Sequence, residues 1–330
     1  PIWKCANTHI TVVESVERLR ELAGAVPDDL HRPYIDDVHF NCPQCSGQAR
    51  RIPEVFDCWF ESAAMPFAAM HYPFENKDWF KVNFPADFVA EYIAQTRTWF
   101  YYTHVLSVLL FDSIPFRHVV TTGTILAENG QKMSKLHQNY PDPWTVFERY
   151  GVDALRYYLL SSPLMKSEDL NFQERGVEEV FKKVILRLRN VLSFYQLYPE
   201  TTMDSVSPAA LSAHVLDQWI LALVDKLVVE VTEAMERYEI DAALRPIERF
   251  IDDLSVWYVR RSRDRIRAGH LGASKSLRAV LYRLAQVIAP FMPFIAETIY
   301  QTVKLPENPK SVHLTDWPIP ILVDEKQLKV

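Results

Sequence analysis

The chain has 330 residues, 48% of them hydrophobic and 24% charged, which gives room for about two domains and a sizeable buried core. Its 36 basic and 42 acidic residues leave a net charge of −6, which excludes a globally basic nucleic-acid binder and confines any such site to a local basic patch. No apolar run approaches the roughly 18 residues of a membrane helix. The opening Pro1-Ile2-Trp3-Lys4 has neither an initiator methionine nor a signal pattern, so a piece of a longer protein is expected.

Residues 1–60 are mixed and loop-rich, with one helix candidate: Ser15 as cap, then Val16, Leu19, Leu22 and Ala23 at helical spacing. The four cysteines (Cys5, Cys42, Cys45 and Cys58) are too few for a disulfide framework and suit a reducing compartment. Cys42-Pro43-Gln44-Cys45, followed by Ser46-Gly47, puts two thiols on one turn, which is half of a zinc knuckle. Tetrahedral zinc needs four ligands, and no second pair is present. Cys5, with His9 or His39, are the candidates to complete the set; a knuckle without metal and a disulfide are the competing readings. Trp59 and Phe60, in the stretch from Arg51 to Ser62, read as core aromatics on residue type alone.

Asp87-Phe88-Val89-Ala90-Glu91-Tyr92 reads as a short buried strand, and Gln95 through Phe111 as an apolar helix. A strand feeding a helix with polar residues at the joint is where an open α/β sheet binds ligands, which singles out Glu91 and Gln95. Pro115 to Gly123 forms a second strand, with His118 as a polar residue near its start. The apolar run Thr124-Ile125-Leu126 then reverses at Asn129-Gly130, a hairpin signal because both residues accept positive φ. It leads into Lys132-Met133-Ser134-Lys135, two lysines three apart with a hydroxyl between them. Two point charges and a donor can follow charge developing on a leaving pyrophosphate, whereas a solvated basic turn is the plain alternative. Asp142 can cap a further helix with Pro143 at its first position.

Around Glu168-Asp169-Leu170-Asn171-Phe172 strand–helix alternation gives way to long amphipathic patterns, at Glu179 to Tyr195, Leu216 to Tyr238, Ile240 to Ala268, and Lys275 to Val303 with a break near Pro290 and Pro293. An α/β region followed by an all-α helical bundle is the expected fold class. In the third pattern Trp257-Tyr258-Val259 precedes Arg260-Arg261-Ser262-Arg263-Asp264-Arg265-Ile266-Arg267, five arginines in eight residues. On a net-acidic chain this cluster suits phosphate contact, with a solvated helix face as the alternative.

Taken together these segments resemble the class I aminoacyl-tRNA synthetases, and within them the isoleucyl-tRNA synthetases. Lys132-Met133-Ser134-Lys135 resembles the KMSK(S) signature, and Asn139-Tyr140-Pro141-Asp142-Pro143 its isoleucyl continuation. Asp57-Cys58-Trp59-Phe60-Glu61-Ser62 is similar to the approach to W-F-D-S-G, and Ala90 through Phe100 to E-G-x-D-Q-x-R-G-W-F. Val152-Asp153-Ala154-Leu155-Arg156 resembles the segment behind the signature loop. Trp257 through Arg263 and Ala289 through Glu297 resemble elements of the isoleucyl anticodon-binding domain. Departures are Glu61 for aspartate, Ala63, Tyr92 and Thr98 for glycine, and Ala94 for the aspartate tied to ribose recognition.

The resemblance implies a Rossmann-like nucleotide-binding fold, of which this chain holds the C-terminal half. It implies a connective segment at residues 1–58 returning from an editing domain, the catalytic part at 59–172 and an anticodon-binding bundle at 173–330. The activity implied is an ATP- and Mg2+-dependent ligation of isoleucine to tRNA(Ile), by a monomeric cytoplasmic enzyme; valyl or leucyl relatives and a non-catalytic tRNA-binding paralogue are the alternatives. Catalysis falls to Lys132 and Lys135, with Met133, Ser134 and Gln95 also at the ATP. Glu91, Gln95, Trp59 and Trp99 would hold the amino acid and adenylate, and Trp257, Arg260, Arg261, Arg263, Arg265 and Arg267 the tRNA; Cys42 and Cys45 stay zinc candidates on residue type, since many members of the family carry a further cysteine after the position of Cys5 where this chain has Ala6-Asn7-Thr8. The second class I signature, H-x-G-H, has no counterpart; Gly269-His270-Leu271-Gly272 has the wrong order and falls in an expected inter-helix turn. Without it the chain alone is not expected to form adenylate.

Overall fold

The computed structural model describes residues 1–134, 136, 138–198 and 212–321. The chain divides into two compact units, Pro1–Val82 with Thr98–Ser113, and Asn83–Arg97 with Ile114–Val330. Lys135 lies outside the described residues.

In the first unit, β1 (Ile2–Cys5), β2 (Ile10–Val12), β3 (His39–Asn41) and β4 (Gln48–Arg51) form an antiparallel sheet in the order β2-β1-β4-β3, with α1 (Val16–Ala23) against it. Alternation in β1 turns Trp3 and Cys5 inward. The Trp3 indole N–H donates to Val38 O at 2.8 Å, and its ring packs on Phe40. Ser15 caps α1 by accepting from the Arg18 amide, so the serine before the apolar repeat marks the helix start. Short helices α2 (Cys58–Ala63), α3 (Met65–Ala68) and α4 (Lys77–Asn83) precede α5 (Trp99–Phe111), and α2 packs on α5. Phe111 closes an aromatic cluster with Phe67, Tyr72 and Phe80. The expected helix from Gln95 begins at Trp99 instead; Ile93–Arg97 is a 3-10 turn in which the Thr96 hydroxyl donates to Ile93 O, a local bond that competes with α-helix.

The second unit opens with β5 (Ala86–Tyr92) and β6 (Phe116–Thr122), paired parallel with Phe88 opposite His118 and Glu91 opposite Thr121. β5 is expected to be buried, but most of its side chains are exposed; β6 is its sole strand partner among the described residues. β7 (Ile125–Leu126) runs parallel to β8 (Leu170–Asn171). Between them stand α6 (Pro143–Tyr150), capped by Asp142, and α7 (Val152–Leu160). After β8 come α8 (Glu174–Val180), a π-helical turn Phe181–Ile185, α9 (Leu186–Leu197), α10 (Val215–Glu236), α11 (Ile240–Asp252), a π-helical stretch Asp253–Val259, α12 (Arg260–Arg267), α13 (Leu271–Ile288) and α14 (Pro293–Val303). Their apolar faces share one core, in which Ile220, Val228, Leu244, Ile247, Leu254, Leu277 and Ile299 are buried. The proline break appears between α13 and α14, with Pro293 at the first turn of α14.

Two polar devices tie this core together. Asp153 of α7 accepts the Phe294 and Ile295 amides at 3.3 and 2.7 Å, so a carboxylate sits at the N-terminus of α14. Arg156, one turn on, donates to Phe291 O and Pro290 O at 3.1 and 3.0 Å. Burial pushes the Asp153 carboxyl above its ordinary range despite the two amides. Deeper in the bundle, Asp217 of α10 receives both Nη atoms of Arg265 at 3.0 and 2.8 Å, the Tyr258 hydroxyl at 2.8 Å and the Ser212 hydroxyl at 2.7 Å. Burial pushes the Asp217 carboxyl up, but Arg265, Ser212 and Tyr258 together outweigh it and hold it below the usual carboxylate range.

Removing Arg265 strands a buried carboxylate. Arg265→Gln is expected to lower stability by about 3 kcal/mol in urea unfolding, while Arg267→Gln on the exposed face changes it by less than about 0.5 kcal/mol. Because the folded-state pKa of Asp217 is depressed, its contribution is complete above the unfolded carboxylate range and lost as pH falls below it. Wild-type stability should therefore drop over that acid interval, and Asp217→Asn should flatten the drop.

Candidate functional site

The lysine loop is shaped from below by a tight turn. The Ala127 amide donates to Gln131 O and the Gly130 amide to Ala127 O, both at 2.8 Å, and Leu126 bridges to Lys132. Of Asn129 and Gly130 only the glycine takes the left-handed conformation, at φ +79°. Asn129 uses its side chain to accept the Gln131 amide at 3.1 Å, so the loop holds three residues rather than two. Gly123, just before it, lies against the 164–168 segment: a Cβ there would stand 1.9 Å from Glu168 O. Thr124 donates its amide to Asp169 Oδ1 at 3.0 Å.

Beyond the turn Lys132 is exposed, while Met133 is half-buried and packs against the bundle core. Asn139 spans the loop, donating from Nδ2 to Lys132 O at 3.0 Å and accepting the Ser134 amide at 2.9 Å. The Ser134 hydroxyl accepts the Leu136 amide at 3.2 Å. Residue-type reasoning missed Asn139 as the staple of this loop; its place at the head of Asn139-Tyr140-Pro141-Asp142-Pro143 was the available signal.

Trp59 and Trp99 stand on the packed helices α2 and α5 of the first unit, both half-buried, and the Trp99 indole donates to Ser62 O at 3.1 Å. Glu91 and Gln95 belong to the second unit, Glu91 exposed near the end of β5 and Gln95 half-buried in the following turn. His118 lies in β6, its Nδ1 at 3.0 Å from Asp87 O and its ring against Tyr238, a structural setting.

In the first unit the fold gathers Cys5, His9, Cys42 and Cys45, with one ligand atom from each all within 4.8 Å of one another. His39 is not in the group. The Cys5 and Cys45 sulfurs are 3.7 Å apart, and Cys42 Sγ is 3.8 Å from His9 Nδ1. Zinc bound tetrahedrally at about 2.3 Å from sulfur spaces its ligands about 3.8 Å apart, so these four side chains fit that ion. The Gly47 amide and His9 draw the Cys45 thiol down to about 6, which favours the ligating thiolate. A Cβ at Gly47 would approach the Cys45 sulfur at 3.5 Å.

On α12 the arginines divide. Arg260, Arg261, Arg263 and Arg267 are exposed and form no ion pair among the described residues, whereas Arg265 is turned inward to Asp217. The expected patch of five arginines is a face of four, because the fifth guanidinium is held within the bundle. Arg261 lies over the Trp257 ring at 4.3 Å.

Residues 1–172 match the family model described as tRNA synthetases class I (I, L, M and V). The chain belongs to the class I tRNA synthetases. Residues 217–329 of the synthetase chain match the anticodon-binding domain of tRNA ligases. It is 45% identical over 327 residues to an isoleucine–tRNA ligase of Protochlamydia amoebophila, 47% over 328 residues to that of Chlamydia pneumoniae, and 41% over 340 residues to that of Treponema denticola. Each alignment covers 96% of this chain and 31% of the relative, so the chain spans about a third of the length of these curated relatives. In fold it is similar to the synthetase in an Agrobacterium radiobacter LeuRS–tRNA–LeuAMS ternary complex, with a TM-score of 0.72 and 21% identity, covering 100% of this chain and 41% of that one. No helix among the described residues is long and apolar enough to cross a membrane.

Proposed function

We propose that the chain is the lysine-loop and anticodon-binding part of an isoleucine–tRNA ligase. The observation that carries this is 41–47% identity to isoleucine–tRNA ligases across 96% of the chain, with the lysine loop and the arginine helix inside the aligned span. In the whole enzyme the isoleucine carboxylate attacks the α-phosphorus of ATP and pyrophosphate leaves; the 3′-terminal hydroxyl of tRNA(Ile) then takes the isoleucyl group and AMP leaves. Class I synthetases use Mg2+ with ATP, which offsets phosphate charge. Lys132 and Lys135 stabilise the departing pyrophosphate, and Ser134 and Gln95 contact the nucleotide. Glu91 and Gln95 hold the ammonium and adenylate, with Trp59 and Trp99 at the isoleucine side chain. Positioning and electrostatics suffice, since no covalent enzyme intermediate is required. The compartment proposed is the cytoplasm, in keeping with four cysteines none of which is joined in a disulfide.

On the bundle, Arg260, Arg261, Arg263 and Arg267 contact tRNA phosphates, supported by their exposure and by the lack of carboxylate partners among the described residues. Titration against isoleucine-, valine- and leucine-accepting tRNAs is expected to show tightest binding to the first, with affinity falling steeply as salt rises. Equal binding of all three would remove the isoleucine assignment, and no binding of any would remove the tRNA reading. We further propose that Cys5, His9, Cys42 and Cys45 hold one structural zinc ion, supported by the match of their spacing to a tetrahedral site. Metal analysis should return one zinc per chain, lost in Cys42→Ser and His9→Ala and kept in His39→Ala; a zinc-free wild-type chain after reconstitution would contradict this.

A further inference from the structure

The helix carrying the arginines is out of step with the one before it. Ile247, Phe250, Ile251 and Leu254 are buried at α-helical spacing, and continuing that spacing would centre the inward face on Tyr258, Arg261 and Arg265, with Trp257 at its edge. Across the π-helical stretch Asp253–Val259 the wider turns shift the inward face by one residue, so that Tyr258, Ser262 and Ile266 are buried and Arg261 is outside, while Arg265, at the edge of the face, still reaches Asp217. Trp257 is left outside at 43% exposure, with the Arg261 guanidinium over its ring at 4.3 Å. Arg260, Arg263 and Arg267 surround this pair, and the exposed Asp264 among them forms no ion pair among the described residues. An indole and a planar cation kept in water, with unpaired guanidinium groups alongside, do nothing for the core. They match the two needs of an unpaired nucleotide: a surface on which its base can stack, and cations for its phosphates.

We propose that Trp257, with Arg261 laid over it, is a stacking platform for one unpaired base of the bound RNA, while Arg260, Arg263 and Arg267 hold flanking phosphates. This rests on the tRNA-binding reading above. Stacking and phosphate contact differ in salt dependence, because only the latter releases counterions. The test is titration of the full 330-residue chain with an isoleucine-accepting tRNA transcript over a range of salt concentrations. Trp257→Ala should weaken binding roughly tenfold at every salt concentration without changing the slope of log affinity against log salt, and Trp257→Phe should retain most of the affinity. Arg260→Gln should reduce that slope by about 0.7–0.9. In the unsubstituted chain, ultraviolet cross-links to the tRNA should map to Trp257, a readout that needs no variant to fold. Unchanged affinity in a folded Trp257→Ala chain, a slope change like that of Arg260→Gln, or cross-links confined to other segments would overturn the platform while leaving tRNA binding intact. Absence of wild-type binding would overturn the underlying reading itself.

Discussion

The arginine face depends on one arginine turning inward. Asp217 is fully buried on α10, and a carboxylate in that position is tolerated only when its oxygens are matched by donors. Arg265 supplies two, and Tyr258, from the π-helical stretch, supplies another. The network therefore clamps the π-helical stretch and α12 to α10 from both sides of the phase shift. With the register of α12 held this way, Arg260, Arg261, Arg263 and Arg267 have nowhere to point but outward.

A second clamp acts at the other edge of the bundle. Asp153 and Arg156 satisfy amides at the start of α14 and carbonyls of the turn before it, groups that a helix break would otherwise leave unpaired. The same α7 places the Tyr157 hydroxyl on Leu244 O of α11. Met133 of the lysine loop packs on this core, and Gly123 and Thr124 are fastened to the 164–169 segment. The loop proposed to meet pyrophosphate and the helices proposed to meet tRNA thus share one packed unit.

Local chemistry was the most legible part of the sequence. Ser15 and Asp142 cap where a short acceptor before an apolar repeat should, and the helical spacing located the bundle. Features set by distant contacts were not legible. Nothing in the residue string distinguishes His9 from His39 as the partner of the cysteines; the antiparallel β1–β2 turn does, by carrying His9 back beside Cys42. The phase shift before α12 is equally silent, since an unbroken α-helix and a π-helical stretch share the same apolar composition; Arg265 reads as one more surface cation because its carboxylate partner, Asp217, lies 48 residues away in the sequence. β5 reads as buried because its composition is largely apolar, yet composition cannot reveal what packs on the faces of a strand.

Hydrogen exchange of the chain with and without an isoleucine-accepting tRNA asks most directly whether the arginine face is where the nucleic acid sits. Slowed exchange in the segment 253–267, with the α1 and β1–β4 region unchanged, is the expected result. Protection confined to that N-terminal region, or a 253–267 segment indifferent to saturating tRNA, would contradict the assignment of this face.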